Sequence, residues 1–192
     1  MSAGKFHVHG PHDHELEHAA AHHEPASMAG QIAVATAIIA TVGAIFSYLG
    51  GATQANAGLH KNEAAIKKTE AADQWNFYQA KSSKQNLAEL AAEIVPEARR
   101  PYFAEEAKRY KSEKAEIQKK AEALEAEAKE WSNKSDEELH IHHRWAQATT
   151  ALQIAIAMAA MALLTKSRGL YWGMYGLGAI GLAIGVAAAV HV

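Results

Sequence analysis

The chain has 192 residues, of which 49% are hydrophobic and 21% charged; its net charge is -2 and it contains no cysteine. Acids and bases nearly balance, which excludes the one-signed field of a nucleic-acid binder. Without cysteine there is no disulfide, no thiolate metal site and no thiol nucleophile.

The apolar residues gather in three blocks and the charged ones in a fourth, so the chain divides into a membrane part and an aqueous part. Residues 1–27 form a polar tail that holds seven of the twelve histidines, between His7 and His23. Neutral imidazole ligates Zn, Ni or Cu. If the chain after Pro11 is helical, His14, His18 and His22 share one face. His7, His9, His12, His14, His18 and His22 are therefore the candidate ligands of a weakly held divalent metal, with a merely solvated tail as the alternative. No other cofactor is expected.

A bilayer core about 30 Å thick needs roughly twenty apolar residues in a helix, because backbone polar groups there must pair within their own segment. Three stretches meet this: no Asp, Glu, Lys, Arg or His lies from Pro25 to Leu59, between Arg144 and Lys166, or between Arg168 and His191. They predict transmembrane helices over residues 28–50, 145–165 and 170–190. The first could instead be a cleaved signal, with Ala55-Asn56-Ala57 as its cleavage site. The long acidic segment before it and the length of its apolar run favour a retained anchor. Small residues recur at helix-contact spacing: Ala33, Ala37, Ala40, Ala44, Ser47 and Gly51 in the first span, and Ala151, Ala155, Ala159 and Ala162 in the second. Gly173, Gly181 and Gly185 are the helix-packing candidates of the third. None of the spans carries an ionisable residue, which disfavours a pump or coupled transporter.

Residues 51–144 are expected outside the membrane as a helical hairpin turned at Pro96-Glu97-Ala98-Arg99-Arg100-Pro101, since proline removes a donor and restricts its predecessor. In the second arm Phe103, Ala107, Tyr110, Lys114, Ile117, Ala121, Leu124, Ala128 and Trp131 recur in alternating steps of four and three, a heptad seam. In the first arm Leu59, Ile66, Phe77, Ala80, Leu87, Ala91 and Ile94 make a less regular stripe, expected to pack against that seam. Trp75, Phe77 and Tyr78 form a polar-aromatic patch with their neighbours, read as packing on the second arm or as a partner site. Ser132-Asn133-Lys134 predicts a helix break, and Ser135 with Glu138 a capping box opening a new helix that runs into the second span. His140, His142 and His143 are expected to be solvated at the interface, with Trp145 as an aromatic anchor there.

The stretch Asp73-Gln74-Trp75-Asn76-Phe77-Tyr78-Gln79-Ala80-Lys81-Ser82, placed after one span and before a Glu/Lys-rich helical region and two close spans, resembles the bacterial membrane family catalogued as domain of unknown function 4337. The opening His9-Gly10-Pro11-His12-Asp13-His14-Glu15-Leu16-Glu17-His18 is similar to that of some members. The resemblance implies this architecture in a bacterial cytoplasmic membrane and carries no established activity.

The expected fold is thus an all-α membrane protein with three transmembrane helices and a long antiparallel, coiled-coil-like hairpin between the first and second. Lys166 and Arg168 at the short loop place that loop and the amino terminus in the cytoplasm by the positive-inside rule. Counting Lys61, Lys67, Lys68, Lys134 and Arg144 favours the reverse. No phosphate loop, nucleophile elbow or metalloprotease helix motif occurs, so no enzyme is expected. Two thin arms bury little, which points to a homo-oligomeric scaffold or adaptor engaging the bilayer and an unknown protein partner, with no role for nucleic acid. The alternative is a metal-responsive membrane protein acting through the tail.

Overall fold

The computed structural model describes residues 27–190. It consists of three α-helices, α1 (Met28–Ile94), α2 (Arg100–Thr165) and α3 (Arg168–Ala189), with a short 3-10 turn at Glu97–Arg99 and no strand among the described residues. Each helix contains a stretch long and apolar enough to cross a membrane.

Local chemistry sets the helix ends. Ser27 caps α1, its Oγ accepting the Gly30 N–H at 3.2 Å, one of the donors a helix start leaves unpaired. At the other end Val95 and Pro96 interrupt the helix, and the Arg100 guanidinium reaches back to the Val95 carbonyl at 3.4 Å. Pro101 lies in the first turn of α2, where its missing N–H costs no hydrogen bond. Between α2 and α3 Lys166 takes φ 50°, the left-handed conformation that stops a helix and that glycine adopts most readily.

The chain forms two compact units, one comprising residues up to Phe46 with Gln147–Val186, the other Ser47–Ala146 with the residues from Ala187 onward. In the first unit Ile32, Ile39, Leu152, Ala155, Ala159, Ala162 and Met174 make the core. The small residues Ala155, Ala159 and Ala162 lie on this buried face of α2, and Ala151 beside them is half-buried. Those of the first span do not: Ala33, Ala37, Ala40 and Ala44 are exposed, because the buried face of α1 carries Ile32, Ile39, Val42 and Phe46 instead. The remaining exterior is apolar as well, with Val34, Ile38, Leu164 and Val186 all exposed.

In the second unit the charged parts of α1 and α2 contact each other in opposite chain order. Ala57 meets Ser135, Lys61 meets Ser132, Lys67 meets Glu127, Trp75 meets Glu125 and Lys81 meets Glu113. Buried positions on α1 run Ala57, Ala64, Ala71 and Ala88, and on α2 Ala107, Ala121 and Ser135. The seam is therefore lined by small residues, which let two backbones approach, and is flanked by long polar side chains.

Two expectations are corrected here. The break at Ser132-Asn133-Lys134 and the capping box at Ser135 are absent, since α2 is helical throughout Arg100–Thr165. Neither serine competes for its own backbone, as both hydroxyls find α1: the Ser132 Oγ accepts from Lys61 Nζ at 3.3 Å, and the Ser135 Oγ donates to the Ala57 carbonyl at 2.9 Å. The apolar stripe of the first arm does not pack on α2 either, apart from Leu87 and Ala91, which line a hollow with Tyr102 and Phe103 of α2. Leu59, Ile66, Phe77, Leu87 and Ile94 are exposed, because the face turned to α2 is the one carrying Ala57, Ala64, Ala71 and Ala88.

Candidate functional site

The histidines that close the charged stretch of α2 are not all solvated. His142 Nδ1 lies 2.8 Å from the Gly50 carbonyl, and since a carbonyl only accepts, this nitrogen carries the proton. Trp145, expected as an interfacial anchor, is buried at 5% exposure, and a Cβ on Gly50 would stand 3.0 Å from the Trp145 Cβ. Gly50 is what permits this approach. Tryptophan and histidine here fix helix to helix, because a close glycine on α1 leaves them room and offers an acceptor.

Farther along the arms, polar side chains bridge α1 and α2. His60 stacks on Trp131 with ring centroids 5.3 Å apart, and Lys134 lies 4.4 Å over the same indole. Lys67 pairs with Glu127 at 3.3 Å and with Glu70 on its own helix, and the bonds to these two carboxylates hold its ammonium above the usual lysine range. Glu113 accepts from Lys81, and that bond, with the charges of Lys81 and Arg109, depresses its carboxyl below the usual range. Of the aromatic patch, Trp75 donates to Glu125 at 2.9 Å and Tyr78 lies under Lys114 at 5.0 Å, whereas Phe77 is 58% exposed. Phe77 alone of the three is free to meet something else.

Of the second-arm seam residues, Phe103, Tyr110, Ile117, Leu124 and Trp131 are half-buried. A groove of about 640 Å³ opens beside the alanine seam, between Trp75, Lys61, Lys68 and Lys129. Smaller hollows of about 300 Å³ at Ile66 and Asp73 and about 400 Å³ at Lys84 and Leu87 lie on either side of Phe77 in the chain. In the first unit a Cβ at Gly181 would meet Leu152 at 2.7 Å, one at Gly173 would overlap Met158, and one at Gly185 would overlap Phe46.

The candidate ligands His7, His9, His12, His14, His18 and His22 lie outside the described residues. Among the described residues no group of three His, Asp or Glu is placed to hold a metal ion.

Residues 28–191, which take in all three helices and the charged unit, match the family model of a domain of unknown function, DUF4337. The chain belongs to the DUF4337 family. No curated protein and no solved structure matches it. The DUF4337 match begins where α1 begins, so the histidine tail precedes the part of the chain that the family model covers.

Sequence reasoning missed the exposed face of the first arm, although its residues were visible. The signal lay in the second series of small residues, Ala57, Ala64 and Ala71 at steps of seven, which competes with Leu59 and Ile66 for the contact face. Close approach to α2 favours the smaller set.

Proposed function

We propose that this DUF4337 protein is a non-enzymatic, oligomeric membrane scaffold or adaptor, anchored by three spans and acting through an antiparallel helical hairpin. The observation that carries this reading is the contrast between the surfaces of the two units. The first exposes uncharged apolar side chains such as Val34, Ile38, Leu164 (84% exposed) and Val186, a surface suited to hydrocarbon rather than water. The second exposes lysines and glutamates along two paired helices, a surface suited to water and to protein contacts. Its apolar residues on α1 remain uncovered, which supports association with a further chain.

The test is fractionation followed by mass measurement. The untagged protein should stay in the membrane pellet through alkaline carbonate extraction, and after detergent extraction it should run as a defined oligomer by light scattering. Recovery as a folded monomer from a detergent-free supernatant would overturn the proposal.

A further inference from the structure

An exposed face of α1, beside the alanine face turned to α2, has a regular pattern of its own. From Leu59 to Ile94, positions 59, 63, 66, 70, 73, 77, 80, 84, 87, 91 and 94 follow alternating steps of four and three, the spacing of a second coiled-coil seam. Leu59 is 65% exposed, Ile66 43%, Leu87 65% and Ile94 74%. With Phe77 and Leu90 these side chains leave on the order of 700 Å² of apolar surface per copy open, against the roughly 800 Å² per partner of a standard interface. The charges are divided along the face. Glu63, Glu70 and Asp73 precede Phe77, and Lys84 follows it.

We infer that this face binds the same face of a second copy, antiparallel, with the two chains crossing near Phe77. This rests on the oligomeric reading above and names its surface. A parallel, in-register pairing sets Glu63, Glu70, Asp73 and Lys84 each against its own copy, and like charges across a seam repel. The antiparallel pairing brings the acidic residues of each copy to the half that carries Lys84, and Ile66 to Leu87 and Ala91. Glu70 already holds Lys67 of its own helix at 3.3 Å, and the Lys84 charge, which also acts on Glu113 of α2, is the cation that the other half of the face offers.

The natural absence of cysteine allows a direct test in the full chain. Differently tagged I66C and A91C chains, mixed in detergent and oxidised, are expected to form a disulfide heterodimer, whereas L87C alone should not link to itself. Adding K84E to both chains should reduce the yield of this heterodimer several-fold, and E70K/D73K/K84E should restore it. Self-linking of L87C would establish the parallel pairing and overturn the inference. If neither cysteine pair links while light scattering still gives an oligomer, this surface is wrong and the oligomeric reading stands. A monomer would remove both.

Discussion

Ser135 shows how much one side chain can do at a helix contact. It is 1% exposed and donates to the Ala57 carbonyl, an acceptor already engaged within its own helix, so the bond is added without disturbing α1. Ser135→Ala should lower stability by about 1 kcal/mol, the net worth of such a bond, read from thermal unfolding in detergent. Ala121 is fully buried in the same seam, and Ala121→Leu should cost roughly 1–3 kcal/mol by forcing the arms apart. An unchanged melting temperature for that variant would mean that the arms do not approach here. Lys166 holds its positive φ without help from a glycine, so Lys166→Gly should raise stability by up to about 1 kcal/mol.

The helices are joined by different devices in the two units. Between apolar helices the close contacts fall at glycines, and Gly181→Val should weaken the bundle by driving a side chain into Leu152. Gly51 meets nothing within 4 Å, and Gly51→Ala should stabilise by about 0.5–1 kcal/mol through helix propensity alone. Opposite signs for these two substitutions are the expected result. Between the charged arms the contacts are ionic at the rim, and their pH dependence follows from the two perturbed groups that bridge the arms, Glu113 and Lys67. The Glu113 carboxyl is depressed in the folded state, so its contribution is present above the ordinary carboxylate range and fades as pH falls through the depressed value. The Lys67 ammonium is raised, so its contribution is full below the ordinary lysine range and fades only as pH climbs above it. Arm pairing should therefore be firmest at neutral pH and loosen first in acid, with Glu113→Gln flattening part of the acid limb of a melting-temperature profile. Both groups are open to solvent, so high salt should shrink the effect.

For the whole molecule, the decisive property is the separation of surface types. The first unit has an apolar exterior and the second a charged one, the contrast on which the proposed scaffold rests. Deleting residues 1–26 should leave the number of subunits in the oligomer unchanged, because the family match begins at Met28. A collapse of the oligomer on deletion would assign the tail a structural part.

Composition and periodicity were enough to determine three helices long and apolar enough to span a membrane, the turn at Pro96 and Pro101, and the family, since each depends on local length, charge or a short motif. The tertiary structure decided which face of each helix is covered. Leu59, Ile66 and Phe77 promise more burial than Ala57, Ala64 and Ala71 when hydrophobicity alone is weighed, yet the alanines face α2. Two helix backbones approach closely only across small side chains, and that gain exists only once the second helix is in place. For the same reason Ser135 reads as a cap in isolation and becomes a buried donor once the Ala57 carbonyl stands opposite it.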